Sequence, residues 1–276
     1  MTLRAELARA SAELARAGVP SPEVDAREIA AHLLGCSLLE VGWREATLPP
    51  EYGDLVRRRA RREPLQYILG RAPFGPLTLA VGPGVFIPRP ETEVLADWAV
   101  GALRGVDKPL VVDLCTGSGA LAAYIAHARA DAQVVAVERS PKAAAWARRN
   151  LEPLGVELRE GDATDLRVVA DLVGRASVVV SNPPYVPEAD DLPAEVYHDP
   201  HEAVFAGADG MSVINRLVEP AAALLAPGGY LGIEHDDATA RDVARVVSRC
   251  PGLSAPVAVR DLSGRERFVT ASKLSN

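Results

Sequence analysis

The feature that most constrains the fold is a regular alternation of short apolar segments with helical segments beyond residue 90. The apolar segments lie at residues 110–114, 134–138, 156–160, 177–181 and 230–234, and helical spacing of apolar residues recurs near 91–104, 119–130, 141–151, 164–173 and 211–225. Strands that alternate with helices form a parallel sheet covered on both faces. Segments 257–262 and 267–271, separated by a short polar turn, indicate a closing hairpin. We predict an α/β fold with a doubly wound, mostly parallel, seven-stranded Rossmann-like sheet.

The N-terminal part of the chain has a different texture. Apolar residues at helical spacing predict a small helical domain, in which Ser21 and Pro22 form an N-cap and a first-turn proline. Residues 1–80 contain 11 basic and 10 acidic side chains, whereas the rest contains 19 and 27. We therefore predict a helical substrate-recognition domain at residues 1–63, a β-hairpin linker at 64–90 and a sheet domain at 91–276.

The composition is typical of a cytoplasmic globular protein. The 276 residues include 48% hydrophobic ones, yet no apolar run approaches the ~20 residues that span a bilayer, and the N-terminus lacks the apolar core of a signal peptide. Cys36, Cys115 and Cys250 lack metal-ligand spacing, so neither a metal nor a disulfide is predicted. The net charge of −7 argues against direct nucleic-acid binding, for which a basic surface is expected.

A glycine-rich turn follows the first predicted strand of the sheet. It reads Asp113-Leu114-Cys115-Thr116-Gly117-Ser118-Gly119 and leads into a helix. Ligands of such folds bind at the carboxyl ends of the strands, where glycines permit close approach and the first helix amides supply donors. The same spacing satisfies a relaxed NAD fingerprint, so a dehydrogenase stays open on this turn alone.

Three acidic residues favour S-adenosylmethionine as the ligand. Asp113 would attract an ammonium and a sulfonium and would repel a pyrophosphate. Glu138, at the end of the next strand, can accept both ribose hydroxyls, although NAD enzymes place an acid there too. Asp162 can accept from an adenine amino group, and its alternative role is a helix N-cap ahead of Thr164. We predict S-adenosylmethionine as the cofactor, with S-adenosylhomocysteine as its product.

The segment Asn182-Pro183-Pro184-Tyr185 ends the fourth predicted strand and is the candidate for chemistry. An amide nitrogen is a poor nucleophile, but its two hydrogens can be bound by the Asn182 side-chain oxygen and the Pro183 carbonyl, while Tyr185 stacks on the planar group. The two prolines fix the backbone that carries these acceptors. An ordinary proline-rich turn is the alternative, and it becomes hard to sustain downstream of the glycine turn.

With these residues in view, the chain resembles the release-factor glutamine methyltransferase family over nearly its whole length. A closing antiparallel strand also fits a methyltransferase sheet better than a plain dinucleotide-binding domain. The resemblance implies N5-methylation of the glutamine in the Gly-Gly-Gln loop of peptide-chain release factors, with the N-terminal helices helping to dock this protein substrate. Four segments carry it: Phe86-Ile87-Pro88-Arg89-Pro90-Glu91-Thr92-Glu93, the glycine turn, Asn182-Pro183-Pro184-Tyr185, and His198-Asp199-Pro200-His201-Glu202-Ala203 through Gly210-Met211.

The resemblance also implies roles for individual residues. The Asn-Pro-Pro-Tyr segment binds the substrate glutamine, and the glycine turn, Glu138, Ala163 and Asn182 contact the cofactor. Phe86 and Arg89 lie near the site. The chain departs from the family at Cys115, where many relatives have glycine, and at Ala163, where some have an aromatic residue that could stack on adenine.

Two alternative functions are an adenine-N6 nucleic-acid methyltransferase and a binding-only protein with the same fold. An adenine-N6 nucleic-acid methyltransferase acts on the same kind of planar amino group, but the acidic charge and the lack of a basic target-reading domain argue against it. A binding-only protein with this fold is expected to lose the acid pair or Asn182, and the chain keeps both.

Three further groups of residues receive a structural interpretation. The basic run is a solvated helix face that a partner could dock on, the histidines and acids of the later loop belong to loop structure rather than to a metal site, and the three tryptophans belong to the core. These groups are, in order, Arg57-Arg58-Arg59-Ala60-Arg61-Arg62; Asp190, Asp191, His198, His201 and Glu202; and Trp43, Trp98 and Trp146.

Overall fold

The computed structural model describes residues 2–188 and 192–275. Among these, residues 2–71 and 192–198 form one compact unit, and residues 72–188 and 199–275 form another. The first unit is helical and the second contains the sheet. The sequence-based boundaries at 63/64 and 90/91 stay predictions, and the structure adds that residues 192–198, far along the chain, belong to the helical unit.

The helical unit is built on helices α1 (Leu3–Arg16), α2 (Pro22–Leu34), α3 (Glu51–Ala60) and α4 (Leu65–Leu69), with a 3-10 turn at Glu40–Gly42. Its core contains Leu14 and Ile29, which are fully buried. Pro22 lies at the first helical position, as predicted, but the Ser21 side chain makes no capping hydrogen bond. Gly35 ends α2 in the left-handed region at φ 59°, a conformation that glycine adopts without steric cost.

Two predictions for this unit are wrong. Arg59 is 6% exposed rather than solvated, because its guanidinium pairs with Asp25 at 2.7 Å and with Glu195 at 3.1 Å. Trp43 is 74% exposed rather than part of the core. Helical spacing could not predict the burial of Arg59, because its partners come from α2 and from the distant 192–198 segment.

The predicted hairpin linker is partly helical. The hairpin consists of β1 (Arg71–Phe74) and β2 (Leu77–Ala80), whereas the apolar residues just before it form α4 instead of an extended segment. Pro64 precedes that helix and Gly70 follows it at φ 69°, so proline and glycine mark its two ends.

Strand and helix alternate through the second unit. The helices are α5 (Thr92–Ala102), α6 (Ala120–Ala128), α7 (Pro141–Leu151), α8 (His201–Val204), α9 (Ile214–Leu224) and α10 (Ala240–Arg249). The strands are β3 (Leu110–Leu114), β4 (Gln133–Glu138), β5 (Glu157–Glu160), β6 (Ala176–Ser181), β7 (Leu225–Glu234), β8 (Val257–Arg260) and β9 (Glu266–Ser272). Among the helices of residues 2–188 and 192–275, none has both the length and the apolar character of a membrane span.

The strands pair in the order β5-β4-β3-β6-β7-β9-β8, which confirms the predicted seven-stranded sheet. All neighbours are parallel except β9, which runs antiparallel to β7 and β8. Successive side chains of a strand point to opposite faces. Val112 and Leu114 accordingly enter the core on one face, and Val111 enters the core on the other.

The helix predicted near 164–173 is not an α-helix. The structure has a 3-10 segment at Leu166–Leu172 that is interrupted at Val169, where φ is −131°. Asp165 caps its start by accepting from the Arg167 amide. Trp98 and Trp146, predicted as core residues, are only half-buried.

Gly232 on β7 should tolerate no side chain. A Cβ there would lie 2.5 Å from the Trp98 ring and 2.8 Å from Leu95, both on α5. Gly232→Ala should therefore destabilise the fold by about 1–3 kcal/mol through overpacking. Gly101→Ala is the matched control, because Gly101 is helical and its Cβ would meet nothing within 4 Å, so about 0.5–1 kcal/mol of stabilisation is expected. Urea unfolding of both variants checks the pair, and equal stabilities would contradict the packing argument.

Candidate active site

The candidate site lies where four parallel strands end. β3, β4, β5 and β6 run in the same direction, so the residues that follow Leu114, Glu138, Glu160 and Ser181 meet at one edge of the sheet. This edge is where ligands bind in open α/β sheets. A cavity opens there, lined by residues of the sheet unit.

The cavity gathers the residues that the sequence singled out. Gly119 and Arg89 lie outside the lining that the described residues form. The lining residues that were predicted are Phe86, Asp113, Cys115, Thr116, Gly117, Ser118, Glu138, Asp162, Ala163, Asn182, Pro183, Pro184 and Tyr185. Their proximity is observed, and their individual roles stay predictions.

Asp113 ties the glycine turn to the helix that follows it. Its Oδ2 accepts from the Thr116 hydroxyl and, at 3.1 Å, from the Ala122 amide of α6. Its Oδ1 is buried and has no hydrogen-bond partner among the described residues. Burial raises the pKa of Asp113 to about 7, although the two hydrogen bonds act in the opposite direction. One carboxylate oxygen therefore builds the turn, and the other is left without a protein donor.

The glycine turn depends on left-handed backbone at three positions. Gly117 has φ 58°, Gly119 has φ 86° and Cys115 has φ 61°. For a residue with a Cβ this region costs about 1–2 kcal/mol, so Cys115 holds a backbone conformation that glycine would adopt without this cost. Gly119 also packs closely, because a Cβ there would lie 2.8 Å from Leu151. Gly119 therefore contributes to the turn by packing against Leu151, and it is not among the residues that line the cavity.

Glu138 fastens two backbone segments at the cavity. Its Oε2 accepts from the Gly117 amide at 2.8 Å and its Oε1 from the Ser140 amide at 2.7 Å. Burial raises the pKa of Glu138, and the two amide hydrogen bonds oppose that shift. Each carboxylate oxygen retains further acceptor capacity, which is what two ribose hydroxyls would require.

Asp162 makes a local turn with Thr164 rather than the helix N-cap that was its alternative interpretation, because Asp165 caps the 3-10 segment that follows. Its Oδ1 accepts from the Thr164 amide at 2.9 Å and from the Thr164 hydroxyl at 2.8 Å. Both Asp162 and Ala163 still line the cavity. The contacts with Thr164 are compatible with a ligand contact, because both hydrogen bonds use Oδ1 and leave the other carboxylate oxygen of Asp162 for a ligand.

The Asn182-Pro183-Pro184-Tyr185 segment is held by side chains that the sequence analysis did not assign. The Asn182 Nδ2 donates to the Thr92 hydroxyl at 3.2 Å, and the Tyr185 hydroxyl donates to Glu234 Oε1 at 3.0 Å. Burial and the Glu234 carboxylate raise the pKa of Tyr185 well above its usual value, so its phenol stays a donor. The sequence could have indicated Glu234 only by its place, because it is an acid at the end of an apolar strand.

The backbone after this segment is clamped by the later loop. The Val186 amide donates to the Val204 carbonyl at 3.0 Å, and the Ala206 amide donates to the Val186 carbonyl at 2.9 Å. Gly210, at φ 72°, passes so close that a Cβ there would lie 2.3 Å from the Tyr185 carbonyl oxygen. The Gly210-Met211 pair is thus explained by backbone packing against Tyr185.

Arg89 is engaged within the protein rather than facing the cavity. It pairs with the buried Asp199, whose other oxygen accepts from the Ile87 amide at 3.3 Å. The guanidinium carbon of Arg89 also lies 4.8 Å from the centre of the Phe86 ring. These contacts join the segment before α5 to the start of the 199–211 loop.

Of the loop residues that were interpreted as loop structure, Glu202 also lines the cavity. Asp190 and Asp191 lie outside the described residues, and His201 contacts Glu188 at 3.2 Å. Within residues 2–188 and 192–275, no group of three or more histidine, cysteine, aspartate or glutamate side chains could hold a metal. Arg139, Ser140 and Arg216 line the cavity without having been singled out from the sequence.

Residues 92–199 match the family model described as "Methyltransferase small domain", so the sheet, the glycine turn and the cavity belong to a methyltransferase. A solved T. thermophilus 16S rRNA methyltransferase, in complex with AdoMet and guanosine, shares the fold with a TM-score of 0.53 at 20% identity, covering 74% of this chain and 50% of that one. Residues 6–70 match the "PrmC N-terminal domain" model. Together with the relatives described next, these matches mean that the chain belongs to the release factor glutamine methyltransferase family.

Three relatives show how completely the family likeness covers the chain. The release factor glutamine methyltransferase of Corynebacterium glutamicum is 58% identical over 99% of this chain and 100% of its own length. That of Streptomyces coelicolor is 46% identical over 98% of each chain. That of Deinococcus radiodurans is 44% identical over 99% of each chain. The predicted family is thereby confirmed.

Asp113 should give the stability of the ligand-free protein a pH dependence. Its folded pKa of about 7 exceeds the usual value of about 3.9, so between these values the folded state holds a proton that the unfolded chain has released. This contribution to stability is full below about pH 4 and is lost as the pH rises through about 7. An asparagine side chain cannot titrate, so the stability of Asp113→Asn relative to wild type should rise with pH, by at most about 1.4 kcal/mol per unit. Urea unfolding from pH 4.5 to 8 measures the stability of both proteins. A stability difference that stays constant over this range would refute the raised pKa of Asp113.

Proposed function

We propose that this chain transfers a methyl group from S-adenosylmethionine to the side-chain amide nitrogen, N5, of the glutamine in the Gly-Gly-Gln motif of peptide-chain release factors. The observation that carries the proposal is that Asn182-Pro183-Pro184-Tyr185 lines the same cavity as the glycine turn and Glu138. The groups proposed to bind the cofactor and the groups proposed to orient the amide therefore line one cavity. The names of the relatives support the substrate.

The residues at the glycine turn fit S-adenosylmethionine. The unpartnered, buried Oδ1 of Asp113 and the acceptor capacity of Glu138 lie on one lining, which suits a ligand that carries positive charge and a ribose. Gly117 and Ser118 would contact the methionine part, Glu138 the ribose, and Asp162 with Ala163 the adenine. When bound, the cofactor supplies an electrophilic methyl group.

The Asn-Pro-Pro-Tyr segment would orient the substrate amide. The Asn182 side-chain oxygen and the Pro183 carbonyl accept its two N–H hydrogens, and the half-buried Tyr185 ring packs on its plane. The two hydrogen bonds aim the nitrogen at the methyl group and stabilise the positive charge that develops on it. The N–C bond forms as the S–C bond breaks, S-adenosylhomocysteine is the leaving group, and the nitrogen then releases one of its two protons to solvent. No strong general base has to remove a proton before attack, because orientation supplies the gain.

The protein partner follows from this substrate. We propose that the helical unit docks the release factor, and since release factors work in translation, the reaction is proposed to occur in the cytoplasm. An adenine-N6 nucleic-acid methyltransferase is the alternative that the Asn-Pro-Pro-Tyr segment itself allows. The net charge of −7 favours the protein substrate.

Incubation with labelled S-adenosylmethionine tests the acceptor directly. A release factor with an intact Gly-Gly-Gln should be methylated, and the same factor with Gly-Gly-Ala should not, because only the glutamine offers an amide nitrogen. Adenine-containing DNA and RNA oligonucleotides serve as competing substrates and should stay unlabelled. Equal labelling of the two release factors, or labelling of the oligonucleotides alone, would sink the proposed function.

Removing the Asn182 amide should abolish turnover without abolishing cofactor binding. We expect Asn182→Ala to lower kcat by about 100-fold or more, because the substrate nitrogen loses its aim. The Kd for S-adenosylmethionine, measured by calorimetry, should change little. Asn215→Ala removes an exposed asparagine on α9 and is the matched control, expected at wild-type activity. Loss of cofactor affinity in Asn182→Ala would assign Asn182 to cofactor binding instead.

A further inference from the structure

A buried polar network behind Asn182 and Tyr185 has no role in the function described so far. Glu234, the last residue of β7, is 2% exposed, and Thr92, the first residue of α5, is 3% exposed. The Tyr185 hydroxyl donates to Glu234 at 3.0 Å, and the Asn182 Nδ2 donates to the Thr92 hydroxyl at 3.2 Å. The Thr92 hydroxyl also lowers the pKa of the Glu234 carboxyl, as a nearby hydrogen-bond donor does.

The direction of these hydrogen bonds follows from the chemistry of a carboxylate. An ionised carboxylate only accepts, so each hydroxyl must point its single hydrogen at Glu234. The Thr92 oxygen is then left with lone pairs, and it can only accept from its other neighbour. That neighbour is the Asn182 side chain, which must present its NH2 rather than its oxygen to Thr92.

The orientation of this amide matters because its two ends have opposite hydrogen-bonding character. With the nitrogen held by Thr92, the Asn182 oxygen is the end left for the cavity, where a substrate NH2 needs an acceptor. A flipped Asn182 amide would place its own NH2 donor against the NH2 donor of the substrate. We infer that Thr92 and Glu234 are positioning residues that hold the Asn182 side-chain oxygen toward the substrate amide, an inference that rests on the proposed function.

The surroundings of Glu234 are consistent with an acceptor at assay pH. Burial raises its pKa to about 7, while the hydrogen bonds from Thr92 and Tyr185 and the charge of Arg267 lower it, and Glu91 raises it. Its Oε2 has no hydrogen-bond partner among the described residues. At pH 8, above this pKa, the carboxylate is ionised and accepts the hydrogen bond from Tyr185.

The test compares Thr92→Val, Thr92→Ser and Glu234→Gln at pH 8 with saturating S-adenosylmethionine and a Gly-Gly-Gln release factor. We expect Thr92→Val and Glu234→Gln to lower kcat by about 10- to 100-fold, because the amide of Asn182 is freed to flip. Thr92→Ser keeps the hydroxyl and should restore most of the activity. Thr270→Val is the matched control, because it removes a comparably buried hydroxyl whose partner is the Val257 carbonyl, and it should behave as wild type.

A double-mutant cycle separates positioning from general destabilisation. If Thr92 acts through Asn182, adding Thr92→Val to Asn182→Ala should cause no further loss of kcat, whereas independent effects would multiply. The Kd for S-adenosylmethionine, measured by calorimetry, should stay at the wild-type value in every variant, which also reports an intact fold.

The outcomes distinguish the two levels of the argument. A wild-type enzyme that leaves Gly-Gly-Gln unlabelled overturns the proposed function together with this inference. A wild-type enzyme that labels it, with Thr92→Val and Glu234→Gln as active as Thr270→Val, overturns the inference alone. Multiplicative losses in the double-mutant cycle, or failure of Thr92→Ser to restore activity, overturn it as well.

Discussion

The site depends on the parallel pairing of β3 with β4 and β6. In this register Leu114 lies opposite Val137 and Ser181, so Cys115 and Asn182 leave adjacent strands at the same edge. A slip of one residue would turn every side chain of a strand to the other face. Asp113 would then leave the α6 face, and the glycine turn would lose the carboxylate that holds it. The cavity is thus a consequence of register before it is a property of any single residue.

Two buried carboxylates flank the central strand β6, one on each neighbouring strand. Asp113 of β3 accepts from the Thr116 hydroxyl and Glu234 of β7 from the Tyr185 hydroxyl, and each keeps one oxygen without a hydrogen-bond partner among the described residues. Burying such groups costs stability. Asp113 lines the cavity on the proposed cofactor side, and Glu234 holds Tyr185, which lines it on the proposed substrate side. The fold therefore carries this electrostatic cost in two places that its chemistry would use.

The sequence was most informative where local rules decide structure. The sheet strands, the glycine turn and the Asn-Pro-Pro-Tyr segment follow from apolar periodicity and from glycine and proline geometry, and the structure gathers these segments at one cavity. It was least informative where the outcome depends on distant partners. The burial of Arg59 requires Glu195, and the exposure of Trp43 depends on what the rest of the chain leaves uncovered. The role inferred for Glu234 depends on the hydrogen bond from Tyr185, which lies 49 residues away in sequence.

The same distinction bears on how the substrate-orienting segment is preorganised. Prolines restrict its φ angles, but they do not decide which end of the Asn182 amide faces the cavity. Thr92 holds the amide nitrogen, Glu234 holds the Tyr185 hydroxyl, and Gly210 packs against the Tyr185 carbonyl. These three contacts come from residues up to 90 positions away in sequence. The Asn-Pro-Pro-Tyr segment thus supplies the chemical groups, and the folded environment sets their direction.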